Sequence, residues 1–314
     1  MARYVKISNL SIGPCGVDRG TDYDSIVERV REYLDARIET VLPDRPDLIV
    51  LPEACDRPED IEGDTRNRYY MARGNKILDH LRETAKNNNC YIAYSAVMED
   101  EDGRWRNSTR IIDRKGEIAG MYSKNHLVIE ENTRYGIAYG TEAPVIRCDF
   151  GTVACVICFD LNFDELRLKY VKSRPEIILF SSMYHGGLMQ AYWAYSCRAH
   201  LVAAIGFPRE QGSIISPVGN LIAYTTPSSD FVTATVNLDC CVAHIDYNWE
   251  KFQAMKKKYG SGVKIHDPGL LGSVLISCEM GDKCIDDLVK EFKIELLDDY
   301  FKRALAHRHA NLGK

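Results

Sequence analysis

Two stretches of this chain are written to one plan. Arg45-Pro-Asp-Leu-Ile-Val-Leu-Pro and Arg174-Pro-Glu-Ile-Ile-Leu-Phe-Ser each pass from an arginine through a proline and an acid into an unbroken apolar run. Each follows a helical pattern, which a proline cannot continue. An apolar run without polar alternation reads as a strand buried on both faces. The repetition predicts two similar halves, each a sheet covered by helices on its outer side. Packed face to face, two such sheets give an α/β fold of four layers, an αββα sandwich. At 314 residues, 45% hydrophobic and 27% charged, the chain can bury the core this demands.

The first 240 residues alternate strand and helix patterns. Strands are expected at Tyr4 to Ile12, Leu48 to Leu51, Cys90 to Met98, Asn107 to Asp113, Ile118 to Tyr122, Val145 to Arg147, Thr152 to Cys158, Ile177 to Phe180, Val202 to Gly206, Leu221 to Tyr224 and Val232 to Asn237. The spacing of Ile26, Val30, Leu34 and Ile38 predicts a helix over Tyr23 to Leu42, capped by Asp22 or Thr21 and stopped by Pro43. A second helix is expected from Arg73 to Asn87. Polar turns at Glu99 to Gly103 and Arg114 to Glu117 imply consecutive hairpins, hence a mixed sheet. Beyond Asp239 the pattern changes. Residues 244–259 read as an amphipathic helix whose Lys256-Lys257-Lys258 end suits the helix dipole. A last helix is expected from about Asp286 to His309. No linker separates this part, so 1–240 reads as the main domain. Residues 241–314 read as a C-terminal extension packed on it or on a partner subunit.

Chemistry concentrates at strand ends. Val153-Ala-Cys-Val-Ile-Cys158 is a strand pattern that stops at a cysteine, and Phe159-Asp160-Leu-Asn-Phe-Asp-Glu165 begins a helical one. That puts the Cys158 sulfur near the positive end of a helix, where a thiolate is favoured and the thiol pKa is expected to fall. Asp47-Leu-Ile-Val-Leu-Pro-Glu53 ends a second buried strand in a carboxylate, and ligands on open α/β sheets bind at the carboxyl ends of strands. Met121-Tyr-Ser-Lys124 closes a third strand with a lysine, with acids soon after it. A thiol, a base and a cation able to hold an oxyanion suit acyl transfer from an amide through a thioester.

Leu-Pro-Glu53, Tyr-Ser-Lys124-Asn-His-Leu and Ile-Cys158-Phe-Asp-Leu-Asn-Phe-Asp-Glu165 stand in the order and spacing of three sequence signatures. Together they resemble those of the carbon–nitrogen hydrolase (nitrilase) superfamily, from the first strand to about Asp239. The resemblance implies an αββα sandwich in which residues 1–240 are the catalytic domain. It makes Cys158 the nucleophile, Glu53 the general base and Lys124 the oxyanion stabiliser, helped by the backbone N–H of Phe159. A second glutamate is implied past the lysine. Glu130 and Glu131 compete for that place, and Glu131 fits better because Tyr135-Gly136 then falls where the family often has an aromatic–glycine pair. No metal or organic cofactor is implied. Homodimers or larger homo-oligomers are, often with exchanged C-terminal tails.

Nitrile-cleaving members usually have Trp-Glu after the nucleophile, whereas Phe159-Asp160 is closer to amidases and N-carbamoyl hydrolases. The run from Asp160 to Glu165 resembles the aliphatic amidase pattern except that Asp164 stands where that group has proline. A small linear amide or N-carbamoyl compound is therefore favoured as substrate, with Phe159, Met183 and Tyr184 as pocket candidates. Nitrile hydrolysis by the same site is the alternative, as is an idle relative that binds without turnover.

Plainer readings compete at several positions. Cys155 and Cys158 have redox or zinc spacing, but residues three apart on a strand face opposite ways. His126 is read as structural, and Asp160 and Glu165 as braces for the helix after the nucleophile. Trp193 could line the pocket or belong to the core. His307 and His309 on a polar helix do not suggest a metal. Eleven cysteines, scattered in apolar contexts behind a start that runs directly into a strand, read as reduced thiols in a cytoplasmic chain. The sequon Asn107-Ser108-Thr109 then reads as chance. A net charge of −5 and a pI near 5.9 give no reason to expect nucleic acid or an anionic membrane as partner.

Overall fold

The helical spacing at Tyr23 is realised as α1 (Tyr23–Glu39), which buries Ile26, Val30, Leu34 and Ile38 along one side. Asp22 is its cap, accepting the Ser25 backbone N–H at 2.9 Å. The computed structural model describes residues 1–18, 20–59, 61 and 63–313; Lys314 of the extension lies outside them. Apart from a short strand at Ser213–Ile215 that the sequence reading does not include, strands fall where the apolar runs place them, with ends moved by a few residues. They are β1 (Tyr4–Leu10), β2 (Leu48–Val50), β3 (Tyr91–Glu99), β4 (Trp105–Ile112), β5 (Ile118–Ser123), β6 (Ile146–Arg147), β7 (Thr152–Ile157), β8 (Ile177–Ser182), β9 (His200–Ile205), β10 (Ser213–Ile215), β11 (Leu221–Tyr224) and β12 (Phe231–Asn237).

They form two six-stranded sheets of matching topology. One runs β12-β1-β2-β3-β4-β5 and the other, read from its opposite edge, β6-β7-β8-β9-β10-β11. In each, three parallel strands are followed by two antiparallel ones. The repeated Arg-Pro-acid plan explains part of the match. Arg45 and Arg174 both adopt φ 52, a left-handed turn that ends the helical segment before each strand. The acid after each proline then grips the strand beside it. Asp47 accepts the Lys6 N–H at 2.9 Å, and Glu176 accepts the Thr152 N–H at 2.8 Å.

The chain divides into two compact units, residues 6–235 and residues 1–5 with 236–314. In the first, the sheets face each other and are stitched by polar groups: Asn9 Nδ2 donates to the Ala203 carbonyl at 2.6 Å and Ser181 Oγ to that of Leu51 at 2.9 Å. On the outer side of the β1-to-β5 sheet lie α1, α2 (Gly63–Arg73) and α3 (Lys76–Asn88), sharing a core with Val30, Leu34, Leu81 and Ala85. A five-residue α4 (Ile129–Thr133) follows β5. The other sheet is covered by α5 (Asp164–Ser173) and α6 (Leu188–Cys197), anchored by Tyr170 Oη on the Cys155 carbonyl and Trp193 Nε1 on that of Leu161, both at 2.8 Å. The sandwich of four layers is therefore present, and Trp193 is fully buried core.

Some expected elements differ. The helix drawn from Arg73 to Asn87 starts later, as α3, because Gly74 at φ 48 ends a preceding helix, α2, that the sequence reading does not include. Arg198 at φ 56 ends α6, and β9 (His200–Ile205) starts two residues on, so only Arg198 and Ala199 form the turn between them. In the second unit, Cys240–His244 is a strand, β13, and the helix begins later as α7 (Trp249–Tyr259). With β14 (Val263–His266) and β15 (Ser273–Cys278) it builds an antiparallel sheet ordered β13-β15-β14, over a core of Phe252, Met255, Val274, Ile276 and Leu288. Lys256 crosses the end of α7 to donate to the Gly260 and Val263 carbonyls, as the dipole favours. The long last helix is α8 (Ile285–Phe292) and α9 (Leu297–Asn311), broken by Lys293 at φ 51. Among the described residues, no helix is long and apolar enough to cross a membrane.

Candidate active site

Two sharp turns, each at the end of a buried parallel strand, begin the site. Leaving β2, Leu51-Pro52-Glu53 runs into Ala54 at φ 48; leaving β7, Cys158 itself has φ 48 and opens a short 3-10 helix, Cys158–Asn162. Left-handed backbone is unfavourable for residues with a Cβ and persists only where the surroundings enforce it. Here the surroundings are two closely packed sheets. Glu53 is 5% exposed and Lys124 1% exposed, while Cys158 is partly covered.

Lys124 holds the centre. It follows β5, and its backbone N–H bonds the Asn107 carbonyl on β4 at 2.8 Å. Its Nζ donates to Glu53 Oε1 at 2.9 Å and to Glu131 Oε2 at 2.8 Å. Asn107 Nδ2 repeats the bridge, donating to Glu53 Oε1 at 2.8 Å and Glu131 Oε1 at 3.2 Å. Glu131 also accepts the Val128 N–H at 2.9 Å, which fixes the start of α4. The remaining Glu53 oxygen, Oε2, accepts the Met183 backbone N–H at 3.2 Å from the end of β8. The Cys158 thiol is a near neighbour of this centre, close enough for its titration to be coupled to Glu53 and Lys124.

Charge decides the resting state. Burial alone would raise the Glu53 carboxyl pKa, but the Lys124 charge and the bonds from Lys124, Cys158 and Asn107 outweigh it and leave Glu53 below the usual carboxylate range. Burial pushes the Cys158 thiol up to about 12, reinforced by the Glu53 charge and only partly opposed by Lys124. Burial disfavours the charged form of Lys124, yet Glu53, Glu131 and Cys158 together hold its pKa well above the ordinary value. The resting site is thus carboxylate, ammonium and thiol. The expected fall in the Cys158 pKa does not occur, because burial beside a carboxylate outweighs one turn of 3-10 helix.

The other sequence candidates fall into place around this centre. Glu130 is exposed, and Glu131 is the glutamate brought to Lys124. His126 is structural: its Nδ1 lies 2.9 Å from Asp160, and its ring stacks on Phe163 at 4.0 Å. Asp160 is fully buried and accepts from Tyr122 Oη, the Ile157 N–H and the His126 N–H, so it ties the nucleophile turn to the lysine loop. Phe159 is 36% exposed and meets Phe163 edge-on. Met183 touches the centre through its backbone. Tyr184 accepts from Asn162 Nδ2 at 3.0 Å, and burial raises its phenol to about 12, with smaller opposing effects from Asn162 and the charged centre. Sequence reasoning missed Asn107, whose only signal is its place in the hairpin opposite Lys124. Among the described residues, no three His, Cys, Asp or Glu side chains cluster as metal ligands.

Comparison with known proteins bears on the family and the fold. A sequence model described as carbon-nitrogen hydrolase matches residues 15–243. The nitrilase and fragile histidine triad fusion protein NitFhit of Drosophila melanogaster is 26% identical over 218 residues, 61% of this chain and 46% of that protein. The chain thus spans under half the length of that relative. A deaminated glutathione amidase of Escherichia coli O157:H7 is 27% identical over 209 residues, 60% of this chain and 77% of that protein. Among solved structures, the C. elegans NitFhit protein superposes with a TM-score of 0.64 at 16% identity, covering 93% of this chain and 98% of that one.

Proposed function

The chain belongs to the carbon–nitrogen hydrolase family, and we propose that it cleaves a C–N bond of a small linear amide or N-carbamoyl compound through a thioester on Cys158. One observation carries this reading: a single buried lysine joins two glutamates, and one of them, Glu53, lies beside the Cys158 thiol, whose pKa burial and the Glu53 charge push up to about 12. A neutral thiol paired with a carboxylate base is set for attack coupled to proton removal. Amidase is also the activity in the name of the E. coli relative.

As the sulfur attacks the carbonyl carbon, Glu53 takes the thiol proton and the C=O π pair moves to oxygen. Two of the three Lys124 N–H donors are engaged by carboxylates. The third, with the Phe159 backbone N–H, holds the developing oxyanion. The oxyanion collapses, the C–N bond breaks, and Glu53 returns its proton to the leaving nitrogen. Water then attacks the thioester, giving a proton to Glu53; the C–S bond breaks, Glu53 passes that proton to the sulfur, and the acid and the free thiol are released. A cavity of about 10 Å³ bordered by Glu53, Met183 and Gly206 has room for one water beside the base. Glu131 and Asn107 keep Lys124 and Glu53 in register throughout. This chemistry calls on no cofactor.

The test is ammonia release from short aliphatic amides, N-carbamoyl amino acids, glutamine and nitriles, comparing the parent with Cys158→Ala. Turnover of an amide or carbamoyl class that vanishes in the variant supports the proposal. Turnover of nitriles alone favours the alternative chemistry. Silence on every class, together with a Cys158 that thiol reagents do not alkylate, favours an idle relative.

A further inference from the structure

The loop that carries Glu53 is held from behind by an ion pair that the chemistry does not touch. Three residues past Glu53, Asp56 is fully buried and accepts from Arg73 Nη1 at 2.6 Å and from the Tyr94 hydroxyl. Arg73, 1% exposed at the end of α2, also donates to the Val97 carbonyl on β3 at 2.6 Å. Tyr69 Oη closes on the Asp56 carbonyl at 2.6 Å, and the Cys55 N–H meets the Ser95 carbonyl at 3.3 Å. A buried ion pair is a poor source of net stability compared with apolar packing, so its presence points to a geometric task. That task lies one residue from the base: Ala54 stands at φ 48, a conformation an alanine keeps only when both neighbours are fixed. Asp56 fixes one side and β2 the other. One Asp56 oxygen, Oδ1, is buried without a hydrogen-bond partner, so the acid is not placed to maximise its own bonding.

We propose that Asp56 and Arg73 are positioning residues that hold Ala54 in its left-handed turn and thereby aim Glu53 at Cys158. This rests on the reading of Glu53 as the general base. The two charges act through backbone geometry and touch neither substrate nor sulfur.

The experiment replaces the pair together, Asp56→Leu with Arg73→Met, so that no lone charge is left buried, and confirms folding by circular dichroism and the thermal midpoint. The rate of Cys158 alkylation by iodoacetamide is then followed against pH. With Glu53 displaced, its charge no longer opposes the thiolate, so the profile moves to lower pH by about one unit or more. Amide turnover falls at least tenfold in kcat with KM within about twofold. Adding Ala54→Gly, which adopts positive φ without penalty, restores part of both. A folded double variant whose alkylation profile matches the parent overturns the proposal. If the double variant does not fold, Arg73→Lys is read the same way: a shifted profile supports the role and an unchanged one refutes it. Alkylation needs no substrate, so a parent that hydrolyses no amide would sink the amidase reading while leaving this test standing.

Discussion

A thiol held near pKa 12 beside a carboxylate already shared with a lysine does not ionise on its own at neutral pH. One cation faces two carboxylates, and a resting thiolate would add a third negative charge to a buried site. Alkylation of free Cys158 should therefore still be climbing at pH 10, where an ordinary cysteine has already levelled off. Peptide mass spectrometry after timed iodoacetamide exposure reads this, and a plateau by pH 8 would contradict it. Asn107 is the second donor that keeps the two carboxylates apart. Hydrogen bonds to charged groups contribute about 1.5–3 kcal/mol. Asn107→Ala should accordingly lower kcat roughly 10- to 100-fold with little change in KM, and an unchanged kcat would remove it from the site. Asn107 was illegible because a polar residue in a hairpin strand has many uses, and only the pairing of β4 with β5 sets it opposite Lys124. Glu131 was legible from its distance to Tyr135-Gly136. The direction of the Cys158 shift was not, since sequence reveals the helix start but not the burial.

At the scale of elements, the site depends on how strands end. Asp160 joins two of those ends by accepting from the turn at Ile157 and from the loop at His126, both through backbone N–H groups. Removing it leaves several buried donors unpaired, at about 1–3 kcal/mol each. Asp160→Ala should lower stability by several kcal/mol in urea unfolding and reduce activity in the protein that remains folded. A loss below about 1 kcal/mol would show that the junction is held by other means. The main strands were legible because they are uninterrupted apolar runs. The helix breaks at Gly74 and Lys293 were less so. Gly74 is itself a helix-ending signal, but with no helix expected before Arg73 it was passed over as the start of the next one. Lys293 carries no chemical mark of the left-handed turn it adopts.

For the whole molecule, burial of titratable groups sets a pH range. Burial holds His200 down to about 4, so the folded chain keeps it neutral where the unfolded chain protonates it near 6.5. The unfolded state then binds more protons, and stability present above pH 6.5 is lost as pH falls towards 4, by an amount of order 3 kcal/mol. His200→Leu should flatten the thermal midpoint across that window relative to the parent, and parallel curves would contradict the assignment. Cys90 and Cys197, raised to about 11 by burial, act at the other end. Their unfolded forms ionise near pH 8.5 while the folded forms do not, so stability declines above that pH. The two-sheet plan was readable from one repeated Arg-Pro-acid phrase, since both copies make the same left-handed turn and the same grip on the neighbouring strand. The sheet of residues 240–278 was not readable, because its short strands are flanked by helical spacing that masks them.

The central claim is a covalent bond between substrate carbon and Cys158. Acid quenching of the protein during turnover of an amide it hydrolyses, followed by intact and peptide mass spectrometry, tests it most directly. The account predicts an adduct with the mass of the acyl group on the Cys158 peptide, with one ammonia or amine released per adduct and neither formed by Cys158→Ala. Amide hydrolysis that persists in Cys158→Ala, with no adduct in the parent, would contradict it.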